Sequence, residues 1–168
     1  MEGKILGIHH ITAIAGDPQA NLDFYSGVLG LRLVKLTVNF DDPGTYHLYY
    51  GDGVGSPGTI LTFFPWPKAP RGRHGTGQVT ETSFAIPIGS IAYWQERLTQ
   101  HNVSYVGPFA RFGDEVISFA DPDGMKIELV ATPGLGTSRA YLEGAVPSDA
   151  ALRGFHSATL TEQGYQKT

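Results

Sequence analysis

Apolar and polar positions alternate along this chain in short runs. Residues 9–15 (HHITAIA) are rich in apolar and β-branched side chains, and they read as a strand. Asp17 and Pro18 follow as an N-cap and first helical residue. Leu22, Tyr25, Val28 and Leu29 then recur on one face of a helix, and Gly30 stands where a left-handed residue ends it. Residues 31–39, 46–51 and 59–64 read as three more strands. Asp41-Asp42-Pro43-Gly44 and residues 51–58 supply the turns between them. The order is β-α-β-β-β.

The same order returns. Residues 82–86 read as a strand, and Ser90 as the cap of a helix reaching about His101. Ile91, Trp94 and Leu98 share its apolar face. Residues 103–112, 115–120 and 125–131 complete the set. Repetition at an offset of roughly seventy residues is the mark of duplicated supersecondary units. The pattern therefore predicts an α+β fold of two βαβββ modules, with mixed sheets and helices outside. Residues 1–66 form the first module, 80–133 the second, and the Pro-, Gly- and Arg-rich stretch 67–79 the linker. Residues 154–160 (GFHSATL) echo 7–13 (GIHHITA). Residues 134–168 are thus read as a tail carrying the first strand of an incomplete third module, from a longer protein; the alternative is a docked tail with a chance likeness.

Composition narrows the chemistry. There is no Cys, so thiolate nucleophiles, disulfides and Cys-held metals are excluded, and any metal must sit on His, Asp, Glu or neutral oxygens. The net charge is −4 and the 12 basic residues are scattered, so no stripe matches a nucleic-acid backbone. No apolar run has membrane-crossing length, and the first residues lack a signal-peptide core, which makes the cytoplasm the expected compartment. Neither G-x-S-x-G nor a P-loop is present, and no G-x-G-x-x-G leads from a strand into a helix, so hydrolase, NTPase and dinucleotide readings have no footing.

Two motifs carry a resemblance. Phe24-Tyr25-Ser26-Gly27-Val28-Leu29-Gly30-Leu31 resembles the helix-to-strand signature of the vicinal oxygen chelate superfamily, which holds glyoxalases, bleomycin-resistance proteins and extradiol dioxygenases. Phe119-Ala120-Asp121-Pro122-Asp123-Gly124-Met125-Lys126-Ile127-Glu128-Leu129 is similar to its last hairpin. Gly7-Ile8-His9-His10-Ile11-Thr12 resembles the opening of ring-cleaving dioxygenases acting on hydroquinones, and RGRHGTGQ in the linker points the same way. The resemblance implies a small aromatic substrate, O2, and a non-heme Fe(II), with Zn(II), Ni(II) and Mn(II) as alternatives. It also implies sheets that pair around a cavity, and hence a homodimer or higher self-association when a module lacks its partner. The rival activities are a glyoxalase-type metal lyase or isomerase and a metal-free binding module.

Site residues follow from the same resemblance. His10 is the expected metal ligand, facing inward with Thr12 and Ile14. His9 and Thr12 are the candidate catalytic residues, His9 acting from behind the ligand. Glu128 sits between large apolar neighbours, where an ionised acid is costly unless paired or metal-bound, and is the second ligand candidate. Glu81 matches His10 in the second module and is the third. Leu61 is aligned with Glu128, leaving module one without an acid. If module one pairs with a fourth module, His10 joins donors outside this chain; if it pairs with module two, the set is His10, Glu81 and Glu128. His47, among aromatics, reads as packed or hydrogen-bonded. Tyr46, Tyr49, Phe63, Phe64 and Trp66 read as sheet core or an aromatic pocket. Arg71, Arg73 and His74 read as solvated linker, and Asp121–Gly124 as a hairpin turn.

Overall fold

Why the first repeat closes into a unit is visible in its alternating burial. The computed structural model describes residues 4–134 and 140–166. Strand β1 (His10–Ala15) turns Ile11, Ala13 and Ala15 toward the core. Helix α1 (Pro18–Leu22) starts at Asp17, whose carboxylate accepts from the Ala20 amide at 2.8 Å. The helix does not run on as a regular α-helix. Residues Asp23–Val28 form a π-helical turn, closed by the Leu29 amide donating to the Phe24 carbonyl. Asn21, Phe24, Tyr25, Val28 and Leu29 still reach the core together. Strands β2 (Arg32–Val38), β3 (Tyr46–Gly51) and β4 (Ile60–Pro65) complete the first sheet in the order β1-β4-β3-β2, β1 and β4 being parallel.

The second repeat gives β5 (Gln78–Ile86), α2 (Ile91–Gln100), β6 (Tyr105–Arg111), β7 (Asp114–Ala120) and β8 (Lys126–Ala131). Ser90 precedes α2 but makes no capping bond, because its hydroxyl donates to the Pro87 carbonyl instead. Strand β5 begins before residue 82. Its first residues are drawn into the sheet by β9 (Phe155–Thr161), which pairs antiparallel with it, Gln78 opposite Thr161 and Val79 opposite Leu160. The second sheet is therefore five-stranded, β6-β7-β8-β5-β9.

One apolar cluster joins the two modules, from Tyr25, Tyr50 and Phe63 through Phe119 to Trp94 and Leu152. Polar contacts pin the same seam. The Tyr25 hydroxyl donates to the Asp121 carboxylate at 2.9 Å, the Gly16 amide donates to Asp123 at 2.8 Å, and Arg97 donates to the carbonyls of Gly27 and Val28. Asp121 also accepts from the amides of Asp123 and Met125, which makes Asp121–Gly124 the hairpin turn expected of it. Among the described residues no helix is long and apolar enough to cross a membrane.

Candidate active-site face

Both sheets bury one face against the helices and common core; the first leaves its other face partly open, whereas on the second Ser83, Glu128 and Val130 of the opposite face are buried as well. On the first sheet the open face is set by register. His10 stands beside Ile60, Thr12 beside Thr62, and Ile14 beside Phe64; Tyr49 pairs with Thr62 across β3, and Lys35 with Tyr49 across β2. His10 is exposed there, with Thr12 and Ile14 on its side of the strand. The His9 ring does not turn away: its Nδ1 lies 3.2 Å from His10 Nδ1. Thr62 donates its hydroxyl to Thr12 at 3.0 Å.

Aromatic rings cover the rest of this face. His47 lies between Tyr49 and Phe64, with ring centroids 4.1 and 3.9 Å away, and its Nδ1 is 3.0 Å from the Tyr49 hydroxyl. Burial, with the positive charge of Lys35 nearby, holds the His47 imidazole below its ordinary pKa, so it stays neutral at pH 7. Its Nε2 is buried and has no hydrogen-bond partner. The Lys35 ammonium stands 5.4 Å over the Tyr49 ring. The aromatic residues thus divide: Tyr49 and Phe64 line the open face, Phe63 is core, and Tyr46 and Trp66 are exposed.

The second sheet carries the equivalent positions with different chemistry. Glu81 pairs with Lys126 and Ser83 with Glu128, as His10 does with Ile60 and Thr12 with Thr62. The residue matching Glu128 in module one is therefore Thr62, not Leu61. Leu61 is fully buried on the core side, so the linear alignment was one residue out and had changed face. The Ser83 hydroxyl donates to Glu128 Oε2 at 2.6 Å, where module one has Thr62 and Thr12.

Glu128 is 2% exposed and fully engaged. Arg111 grips it bidentately, Nη1 to Oε1 at 2.9 Å and Nη2 to Oε2 at 2.6 Å. Burial pushes this carboxylate up, but the hydrogen bonds from Arg111 and Ser83 and the charge of Arg111 outweigh it, and the group is held below its ordinary value. Both carboxylate oxygens of Glu128 are thus engaged by the Arg111 guanidinium. Glu81 faces Lys126 at 3.7 Å. Among the described residues no group of three or more His, Asp or Glu is disposed to hold a metal, so His10, Glu81 and Glu128 do not form one site. They lie on separate sheets. Arg111 was missed by sequence reasoning because it sits on β6 and reaches β8 across the intervening β7.

A cavity of about 750 Å³ opens elsewhere, under the linker between Ile14, Trp66, Arg73 and Asp123, and neither His10 nor Glu128 lines it. There Arg71 donates to the Asp123 carbonyl and His74 bonds the Gly124 carbonyl, so the linker, though exposed along its length, is tied to the last hairpin.

Known proteins share this architecture. A model of the Glyoxalase/Bleomycin resistance protein/Dioxygenase superfamily matches residues 7–129, both modules. "Putative ring-cleaving dioxygenase MhqO" of Bacillus subtilis (strain 168) is 52% identical over 168 residues, which is 100% of this chain and 53% of that protein. Chlorohydroquinone/hydroquinone 1,2-dioxygenase of Sphingobium indicum is 38% identical over 161 residues, 94% of this chain and 50% of that one. The chain spans about half the length of the curated relatives it matches. A crystal structure from Bacillus subtilis subsp. subtilis str. 168 superposes with a TM-score of 0.85 at 53% identity, covering 94% of this chain and 50% of that one. The fosfomycin resistance protein FosX of Listeria monocytogenes, crystallised with Mn(II) and sulfate, shares the fold at a TM-score of 0.58 and 17% identity, covering 78% of this chain and 96% of that one. With the duplicated βαβββ order, the two sheets and these matches in agreement, the chain belongs to the Glyoxalase/Bleomycin resistance protein/Dioxygenase superfamily.

Proposed function

We propose that this chain supplies modules one and two of a longer ring-cleaving dioxygenase acting on hydroquinone- or catechol-like rings, with His10 as one ligand of a divalent metal. The observation that carries the reading is the open face of the first sheet. It presents His10 and Thr12 beside an aromatic floor of Tyr49 and Phe64, while the matching acid position is Thr62. One imidazole is a fitting donor but not a site. The remaining ligands lie outside this chain, because the one deeply buried glutamate at a family ligand position is held by Arg111. Fe(II) suits a set of imidazole and carboxylate donors with open positions, and supplies coordination places for a ring oxygen and for O2.

The chain's own residues have defined tasks. Were His10 to hold the metal through Nε2, its Nδ1–H would donate to His9 Nδ1, 3.2 Å away, and that bond would fix ring orientation and tautomer. Thr62 donates to Thr12, so the Thr12 proton is left to point at substrate oxygen beside His10. The apolar and aromatic side chains of Ile60, Phe64 and Tyr49 hold a flat ring and exclude water from it. A glyoxalase-type isomerase needs a free carboxylate base, and the first sheet's open face has none among the described residues.

Elemental analysis tests the division of the site. After anaerobic incubation with Fe(II), the isolated 168-residue chain is expected to retain far less than one iron per chain. The longer protein is expected to retain iron and to lose it with His10→Ala. Stoichiometric iron in the isolated chain would overturn the division, and unchanged iron in the His10→Ala protein would overturn the ligand assignment.

A further inference from the structure

The reading above leaves unused the most unusual polar group on the open face. His47 is a neutral imidazole between two aromatic rings, with a buried Nε2 that bonds to nothing. A neutral imidazole carries one proton, so two arrangements are available. If Tyr49 donates to Nδ1, the proton sits on Nε2 and a buried N–H donor is orphaned. If Nδ1 carries the proton and donates to the Tyr49 oxygen, the orphan is a lone pair. Buried N–H groups without partners are the rarer of the two in folded proteins. The second arrangement has a further consequence: the Tyr49 O–H is not spent on His47 and is free to donate away from it.

Tyr49 has the placement to use that proton. It shares a row of the sheet with Thr62 and Thr12, two strands across from β1, while His10 lies two residues along. Strand spacing and rise put the Tyr49 and His10 backbones roughly 12 Å apart, a span that one aromatic ring and the two side chains reaching for it can fill. Lys35 stands over the Tyr49 ring, so the same end of the face carries a positive charge that favours an electron-rich oxygen.

We propose that Tyr49 is a substrate-binding hydrogen-bond donor for the ring oxygen remote from His10, and that His47 is the positioning residue that frees its proton for that bond. The ligand class is a planar ring bearing a second oxygen opposite the one at His10, as in a hydroquinone. This inference rests on the reading that a hydroxylated ring lies on this face, and it adds the means of selecting two oxygens over one.

The test uses the chain itself, diluted until light scattering shows a single-chain mass, with hydroquinone and phenol as probes. Long-range nitrogen–proton NMR at neutral pH is expected to show His47 protonated on Nδ1; protonation on Nε2 overturns the proposal. In anaerobic NMR titrations, hydroquinone is expected to bind about tenfold more tightly than phenol, the worth of about 1.4 kcal/mol for one hydrogen bond. Tyr49→Phe should erase that preference, bringing the two affinities together. His47→Asn, whose amide keeps a donor toward the Tyr49 oxygen, should retain most of the preference, and His47→Leu should lose it. No hydroquinone binding to the unaltered chain, an equal loss for both ligands in Tyr49→Phe, or no loss for either overturns the proposal. Oxygen uptake with hydroquinone, measured on the longer protein, reports on ring cleavage separately. Its absence with the binding preference intact sinks the activity and leaves the subsite.

Discussion

The Arg111 guanidinium has both Nη groups on a carboxylate that water scarcely reaches, and what it neutralises decides what its loss costs. Glu128 is 2% exposed, while the Arg111 side chain is 31% exposed. Breaking such a pair from the arginine side strands a buried charge, a loss of 3–5 kcal/mol in fully buried cases; partial exposure of Arg111 brings the expectation for Arg111→Met down to about 2–3 kcal/mol. Arg111→Met with Glu128→Leu should recover much of it, because no charge is then left behind. The pH dependence has a defined sign. Glu128 titrates below its ordinary 4.5, so its contribution is complete above that value and is lost as pH falls through the folded-state pKa. Urea unfolding of the parent should lose stability from about pH 4.5 downward, and the double variant should lose less over that window. Equal acid sensitivity in both would show that the pair does not matter. In the sequence Glu128 was recognisable as an acid among apolar neighbours, but its partner was not. A long side chain reaching over a strand leaves no trace in local pattern, so the pairing of Glu128 with Arg111 could not be read there. For His10 the family resemblance chose between it and His9, and the structure places it on the exposed side of β1 with Thr12 and Ile14.

At the scale of elements, what the chain pattern revealed and what it hid follow the range of the interactions. Strands set by period-two burial, such as Tyr46–Gly51, begin and end where expected, since their neighbours are close in sequence. Residues 78 and 79 were read as linker and are strand, because pairing with β9 some eighty residues on draws them into the sheet. The π-helical turn was hidden for another reason: the apolar spacing of Phe24, Tyr25 and Val28 fits either a regular helix or one with a wider turn. The junction into β9 gives a sharp test. Gly154 has φ +98, and a Cβ there would lie 2.7 Å from the Gly58 carbonyl oxygen, a backbone atom that cannot swing aside. The segment also makes the bonds that seat β9, the Ala85 amide to the Gly154 carbonyl and the Phe155 amide to the Gly58 carbonyl. Gly154→Ala should therefore cost about 2–3 kcal/mol, the sum of positive-φ strain and the clash, and raise amide exchange along β9 and residues 78–83 before the rest of the second sheet. Uniform exchange across the chain would mean that β9 is not a separable element.

The two sheets of the whole molecule are finished to different degrees. Strand β5 has β8 on one side and β9 on the other, whereas β1, its counterpart in the first module, has β4 alone. Among the described residues one edge of β1 is therefore unpaired, and edges of that kind recruit other strands unless charge, proline or a bulge blocks them. Nothing of that sort stands in His10–Ala15, whose outward residues are a histidine, a threonine and an isoleucine 56% exposed. The open face beside it adds partly exposed Ile60, Tyr49 and Phe64. An edge and a face left apolar together favour association over solvation. The isolated chain should then show by light scattering a mass above that of one chain, increasing with concentration. Ile14→Lys, which places a charge on the face beside that edge, should return it to a monomer without lowering its melting temperature by more than a few degrees. Tyr46→Lys, on β3 with β4 between it and β1, should leave the association as it was. A monodisperse monomer for the unaltered chain would mean that the exposed edge and face are too small to recruit a partner. A mass unmoved by Ile14→Lys would place the contact elsewhere, on the exposed aromatic tips of Phe40 and Phe112 rather than at β1.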